Sequence, residues 1–336
     1  MNHIKKEWIV EYRTLGRTGI NVSEVGFGCG SVGGLLIRGE YSEMVRAVAW
    51  AVEQGITYFD TARSYGNGQS ETNLGRVLKE LRPDVVVGTK VSLGGEDLDR
   101  IEDAVAEQVD GCLARLGRES VDVIYLHNQI TNTREGSRMS PADVAVAAGA
   151  LQVAMEQGKT RSWGLNGLGD TDAIHEAVGA THPFVIQSCY NMLNPSSGLS
   201  VADNFPFQDY DGLMDLAGDM DIGVAAIRVL AAGALSGVTE RHAIAMPSVG
   251  PIGSGKDYAA DVAFAQGFDF LVQEGVVETL IEAAIRFALS QPKLSTALVG
   301  LASFGQLEQA VAYGNKGVLP QDALERMKAI WAGWGE

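Results

Sequence analysis

Cysteine is scarce. The 336 residues hold three, Cys29, Cys112 and Cys189, too few, too far apart and odd in number for a disulfide framework or a metal-ligand cluster. Positive charge is short as well: 26 Lys and Arg stand against 42 Asp and Glu, a formal net charge of −16 at pH 7. Nucleic-acid binding needs a basic face, so that class is excluded, and an anionic membrane surface is disfavoured by the same balance. A phosphate-bearing ligand must then meet a local positive field made by a few residues. There is no apolar run of about 18 residues to span a membrane and no basic-then-apolar leader, so a cytoplasmic location is expected. His3, His175, His182 and His242 show no ligand spacing; they read as surface residues, and no metal is expected.

What is present is ordinary for a globular chain, 46% hydrophobic and 20% charged, and a chain this long can bury a large core. Residues 11–25 alternate polar and apolar around Gly16 and Gly19, the pattern of a small hairpin. Short apolar runs then recur near 26–29, 56–60, 85–89, 122–126, 161–165, 184–188, 223–228 and 296–299. Helix-period stretches separate them. Ser42 is placed to cap one, with Met44, Val45, Val48, Ala51 and Val52 inward and Gly55 as its stop. Leu98, Ile101, Val105, Val109, Cys112 and Leu116 mark another, ended by Gly117, and Ser140-Pro141 opens a third that ends at Gly158. Eight strands with a helix between each pair predict a parallel sheet closed into a (β/α)8 TIM barrel. It carries an N-terminal β-hairpin and a long loop after the seventh strand. No linker divides residues 1–336, so one domain is expected. Residues 237–268 lack clear periodicity and read as a substrate loop over the mouth; 320–336 form a C-terminal helix or tail containing Trp331 and Trp334.

Two glycine patterns mislead. Gly28-Cys29-Gly30-Ser31-Val32-Gly33 fits the dinucleotide fingerprint of a doubly wound sheet, with Glu53 twenty residues on. That motif needs its third glycine already in a helix, whereas Leu35–Glu40 intervenes before the helix near Ser42. Gly250 to Lys256 fits the start of a phosphate-cradling loop, but Asp257 stands where a Mg-binding Ser or Thr belongs, and no buried strand precedes it. A flexible loop with a solvated lysine is the better reading.

The polar residues at strand ends carry chemistry. Asp60, Tyr65, Lys90 and His127 each lie at or just after the C-terminal end of an apolar run, and in a parallel barrel those ends share one mouth. Hydride reduction of a carbonyl leaves negative charge on oxygen, so a proton must arrive as that charge develops. Tyr65 can supply it if a neighbouring ammonium, Lys90, lowers its ordinary pKa near 10. Asp60 would keep Lys90 charged, and His127 would orient the substrate oxygen. Separately, Asp60 and Lys90 could be a buried ion pair, Tyr65 a loop residue and His127 a core histidine. A buried pair is a poor stabiliser, and one site explains all four.

These residues lie within a longer series: Tyr12-Arg13-Thr14-Leu15-Gly16, Phe59-Asp60-Thr61-Ala62 leading to Tyr65-Gly66, Gly68-Gln69-Ser70-Glu71, Val87-Gly88-Thr89-Lys90, Leu126-His127 and Gly158-Lys159-Thr160-Arg161. The chain in this respect resembles an aldo-keto reductase over nearly its whole length. The resemblance implies a barrel that binds NAD or NADP across its C-terminal mouth, with the tetrad Asp60, Tyr65, Lys90 and His127. It places nicotinamide-amide contacts on Asn166 and Gln187, although Asn166-Gly167 replaces the usual Ser-Asn pair. The pyrophosphate cradle resembles Leu230 to Gly237, including Gly233 and Leu235, with Ile227-Arg228-Val229 replacing its usual Tyr-Ser-Pro lead-in. Arg228 would bring charge to the cofactor or pair with a carboxylate. Ser303, Gln306 and Gln309 fall in the adenosine-end segment, which lacks the Lys or Arg that commonly grips a 2′-phosphate; a 2′-phosphate needs charge-assisted donors, so NAD use is expected.

Rival functions are a barrel aldolase with Lys90 as Schiff-base nucleophile and a cofactor-sensing regulatory subunit. The substrate is expected to be a small carbonyl or sugar molecule. Asn128, Gln129, Asn132 and Arg134 suit a polar one; Phe264, Phe268 and Phe270 suit an apolar one. Monomer and homo-oligomer are both open.

Overall fold

Gly16 and Gly19 turn the chain between two short antiparallel strands, β1 (Tyr12–Thr14) and β2 (Asn21–Ser23). Both glycines have positive φ, 51° and 70°, where a side chain would be strained. In the computed structural model, which describes residues 10–253 and 255–335, this hairpin plugs the lower end of a barrel. Leu15, Ile20 and Val22 are buried against Tyr58, Val86, Val123 and Val185.

The elements that follow are β3 (Val25–Gly28), α1 (Leu35–Arg38), α2 (Tyr41–Glu53), β4 (Tyr58–Asp60), α3 (Gln69–Leu81), β5 (Val86–Val91), α4 (Ile101–Leu116), β6 (Val121–Leu126) and α5 (Pro141–Glu156). Next come β7 (Thr160–Gly167), α6 (Thr171–Thr181), β8 (Val185–Cys189), α7 (Leu213–Asp219) and β9 (Gly223–Ile227). The chain ends with α8 (Tyr258–Gln266), α9 (Phe270–Gln273), α10 (Leu280–Leu289), β10 (Thr296–Gly300), α11 (Phe304–Gly314) and α12 (Gln321–Ala332). Strands β3 to β10 pair in parallel and close as β10 meets β3, the (β/α)8 barrel that the eight apolar runs predict. Buried on both faces, such strands read as continuous apolar runs.

Local signals act where expected, with one exception. Ser140 accepts the Asp143 amide and caps α5 behind Pro141, and Gly117, at φ 62°, ends α4. Ser42 caps nothing: α2 begins at Tyr41, and the extended Glu40 at its boundary accepts the amides of Glu43 and Met44 through its carbonyl. The segment 237–268 is not wholly irregular. It contains α8, capped by Asp257 through the Ala260 amide at 2.8 Å; Ala, Val and Phe around most of that helix erase any periodic contrast. Neither glycine pattern forms its motif. Gly28 ends β3, and α1 separates Gly33 from α2. The Ile252 and Gly253 amides donate to the Asp261 carboxylate, which occupies a position a phosphate would need.

Gly68-Gln69-Ser70-Glu71 is a strut. The Ser70 hydroxyl donates to the Cys29 carbonyl at 2.9 Å and meets the Thr61 hydroxyl at 2.8 Å. Glu71, with no exposed surface, accepts from the Thr89 hydroxyl at 2.6 Å and pairs with Arg115 at 2.5 Å. The start of α3 is thereby tied to the upper ends of β3, β4 and β5. Removing Glu71 leaves the buried Thr89 hydroxyl and the partly exposed Arg115 guanidinium without their acceptor, so Glu71→Ala is expected to cost about 1–3 kcal/mol in denaturant unfolding, with Glu71→Gln losing less.

Candidate active site

At the end of β5, Lys90 is fully buried, and its ammonium spends three donors. It pairs with Asp60 Oδ1, donates to the Thr61 carbonyl at 2.8 Å and reaches the Tyr65 hydroxyl at 3.2 Å. Asp60 ends β4 two residues beyond Tyr58, pointing the same way into the barrel. Its second oxygen accepts from the Gln187 amide at 2.6 Å. Burial opposes the Lys90 ammonium, yet Asp60 and then Tyr65 outweigh it and hold its pKa above the ordinary lysine value.

Tyr65 sits half-buried on the short turn between β4 and α3. Its pKa departs from the sequence expectation. Burial pushes the phenol up; Lys90 pulls it down without overcoming burial, and the net direction is upward. The phenol is therefore protonated at neutral pH. The His127 ring meets the Tyr65 ring edge-on, 5.8 Å between centroids, and Ser64 Oγ lies 3.3 Å from its Nδ1. Burial, then the Lys90 charge, push the imidazole down to about 3, so it is neutral. Asn166 donates to the His127 carbonyl at 3.0 Å and fixes the backbone there.

Asp60, Tyr65, His127, Asn166 and Gln187 line a cavity of about 730 Å³ whose wall also carries Gly28, Gly30, Gly33, Arg228, Leu230, Gly233, Gln306 and Gln309. The chain after β9 is wound left-handed at Arg228, Ala231, Ala232 and Gly233 (φ 59°, 46°, 57° and 106°). Among the described residues, no carboxylate lies within ion-pair distance of Arg228. Arg241 clasps this turn from above, donating to the Ala232 and Met246 carbonyls at 2.8 and 2.6 Å. Met246 in turn donates to the Val32 carbonyl, and Arg38 holds Ile244, so the segment after β9 straps the mouth from one side to the other.

The model of the aldo/keto reductase family matches residues 24–332. This chain belongs to that family. It is 29% identical over 311 residues to L-galactose dehydrogenase of Arabidopsis thaliana, covering 90% of this chain and 88% of that one. It is 26% identical over 317 residues to a probable voltage-gated potassium channel subunit beta of the same plant (89% and 90%). In shape it superposes on an aldo-keto reductase from Klebsiella pneumoniae solved with NADPH, TM-score 0.68, 19% identity, 96% of each chain covered.

Within this aldo-keto reductase barrel, several sequence-selected residues have other employment. Ser303 caps α11 through the Gln306 amide, and the Gln306 side chain accepts the Ala302 amide at 2.7 Å. Leu235 is in the core, and neither it nor Gly237 is on the cavity wall. None of the residues chosen as substrate contacts is on the cavity wall. Asn128 bonds Leu93 and Ser137, Arg134 pairs with Asp143, and neither they nor Gln129 and Asn132 line the cavity. Phe264 and Phe268 pack with Trp334, and Phe268 with Trp331; Phe270 lies under Arg326. His242 is at the cavity mouth, not merely on the surface, and His3 lies outside the described residues. Among the described residues, no three His, Cys, Asp or Glu side chains gather as a metal site, and no helix is long and apolar enough to cross a membrane. Sequence reading missed Arg241 and the Gln187–Asp60 bond; the first lies in a stretch without periodicity, and the second joins residues 127 positions apart.

A neutral, partly buried His127 makes stability depend on pH. The unfolded chain takes up its proton near pH 6.5 and the folded chain only near 3, so stability falls as pH drops between these values. Chemical denaturation across that window should show the decline, and His127→Gln should flatten it.

Proposed function

We propose that the protein is an NAD(P)(H)-dependent oxidoreductase that moves hydride between a nicotinamide and the carbon of an aldehyde, ketone or sugar hydroxyl. The observation that carries this reading is the buried Lys90, held between Asp60 and the hydroxyl of Tyr65, both of which line the cavity. In the reducing direction Tyr65 gives its proton to the substrate oxygen as negative charge gathers there, and the Lys90 ammonium stabilises the phenolate left behind. Neutral His127 donates a hydrogen bond to the same oxygen and sets its angle. In the oxidising direction each transfer reverses. The bound nicotinamide supplies or accepts the hydride.

The wall suits an extended dinucleotide. It runs from the tetrad past Asn166 and Gln187, across the left-handed turn at Arg228–Gly233, to Gln306 and Gln309 on α11. Arg228 supplies uncancelled positive charge where a pyrophosphate would lie. At the far end Gly300, Leu301, Ala302, Gln306, Gln309 and Ala310 form the wall, with no Lys or Arg among them; Arg46 is stacked on Phe304, 3.8 Å from its centroid, and is not on the wall. This favours NAD over NADP. Similarity to an L-galactose dehydrogenase supports a sugar as substrate.

The aldolase reading needs a neutral lysine, and Lys90 is held as the ammonium. Similarity to a channel beta subunit supports a sensing role as the second reading; it would be favoured by tight cofactor binding without turnover across a carbonyl and sugar panel.

Tyr65→Phe is expected to abolish turnover while cofactor binding, followed by fluorescence quenching, persists. Near-normal turnover would remove Tyr65 from the chemistry. In parallel steady-state runs NADH should serve at least as well as NADPH; a preference for NADPH of about a hundredfold, some 2.7 kcal/mol, would contradict the reading of the adenosine end.

A further inference from the structure

Neutral imidazole carries one proton, so one ring nitrogen of His127 donates while the other accepts. Which nitrogen holds the proton follows from the bond that the other makes. At Nδ1 that partner is Ser64, whose Oγ lies 3.3 Å away. Among the described residues, neither the ring nor this hydroxyl has another hydrogen bond. The backbone of His127 is held on both sides: its amide donates to the Val91 carbonyl at 2.8 Å, and its carbonyl accepts from Asn166. Rotation of the ring is what remains, and half a turn would put a carbon where Nδ1 stands. Ser64 and Tyr65 are consecutive on the turn after β4, which the Tyr65 amide closes onto the Ala62 carbonyl at 3.1 Å. One turn therefore brings a hydroxyl to the His127 nitrogen and sets the Tyr65 ring edge-on to the imidazole, 87° between planes.

We propose that Ser64 is a positioning residue: by donating to His127 Nδ1 it keeps the ring proton on Nε2 and the ring turned so that Nε2 can donate to the substrate oxygen. The inference rests on the role of His127 proposed above. The substrate oxygen accepts in both directions of the reaction, so Nε2 has to be the donor. The other tautomer would set a lone pair of the ring against a lone pair of that oxygen. Burial and the Lys90 charge keep the ring from taking a second proton, which leaves the choice between two neutral tautomers. A hydroxyl rotates to donate or accept. Once the substrate engages Nε2–H, only a donating Ser64 bonds Nδ1, and the chain from Ser64 through the ring to the substrate is polarised in one sense. Ser64 itself is exposed and is not on the cavity wall, so its effect on the substrate runs through the imidazole.

The test pairs Ser64→Ala with Ser64→Thr, which keeps a hydroxyl on the same carbon. In Ser64→Ala kcat is expected to fall about three- to tenfold, the worth of one oriented hydrogen bond. KM for the cofactor should hold because the wall is untouched, and Ser64→Thr should keep the parent's rate. Nitrogen NMR on the histidine-labelled full chain reads the ring directly, with the His127 signals identified by their loss in His127→Gln. The parent should show Nε2 protonated and Nδ1 bare of a proton but hydrogen-bonded. In Ser64→Ala the Nδ1 signal should leave that position, and Ser64→Thr should return it; a serine with a merely structural role would move neither nitrogen. A protonated Nδ1 in the parent would overturn the proposal, as would a Ser64→Ala variant that keeps either the parent's kcat or its nitrogen signals. If the parent turns over no carbonyl or alcohol, the oxidoreductase reading fails, and the nitrogen signals still decide whether Ser64 sets the tautomer.

Discussion

The Asp60–Lys90 pair is what the rest of the structure has to accommodate. Both groups lie in the barrel interior, and taking two charges out of water costs several kcal/mol per ion, often more than their attraction returns. The fold meets that cost with hydrogen bonds. Lys90 has an acceptor for each of its three hydrogens, and both Asp60 oxygens have donors. Those partners come from β4, the turn after it, and β8 on the far side of the barrel. Only a closed sheet brings these strands to one point, which is why the pair and the barrel stand or fall together. Holding the start of α3 with Ser70 and Glu71 serves the same end: it fixes both ends of the turn that carries Tyr65.

The parts of this arrangement legible in the sequence are those written in period and position. Eight apolar runs separated by helical stretches specify a closed parallel barrel, and Asp60, Lys90 and His127 are visible because each terminates or follows a strand. What escaped is set by packing. The net direction of the Tyr65 shift turns on how much burial outweighs Lys90, and burial is a property of the folded site. Asn128 and Arg134 are polar residues in a loop after a strand, the pattern of a substrate contact, yet their partners are Leu93, Ser137 and Asp143. Ser303 carries two compatible signals, a cofactor segment and a helix start, and the bond it makes is the cap. The helix inside 237–268 was hidden because its apolar residues leave no polar face to contrast with.

The strap across the mouth has two anchors of different character. At the cavity, Arg241, Arg38 and Met246 fasten it with hydrogen bonds to backbone carbonyls, which water can replace. Behind it, Phe264 of α8 packs with Phe207 and Trp334, while Trp331 donates to the Met192 carbonyl at 2.8 Å from a buried position. The apolar anchor is the stiffer, since opening it would expose several aromatic rings to water. The segment 238–252 is thus held by hydrogen bonds alone where it crosses the mouth, and by packed rings where α8 meets the C-terminal helix.

Charge brings the two ends of the argument together. A chain with sixteen excess negative charges repels a dinucleotide at a distance, so the attraction has to be local and short-ranged. Arg228 meets that requirement because no carboxylate among the described residues pairs with it, whereas Arg13, Arg115, Arg134 and Arg286 are all committed to acidic partners. Its backbone is left-handed, as are Ala231 and Ala232, and each such non-glycine residue costs about 1–2 kcal/mol. Strain of that size persists only where surrounding contacts over-determine it. Here the Arg241 clasp on Ala232 supplies one such contact, so a single guanidinium both covers the turn and keeps it wound. Positive charge that the overall composition denies to the protein is thereby present beside this left-handed turn on the cavity wall.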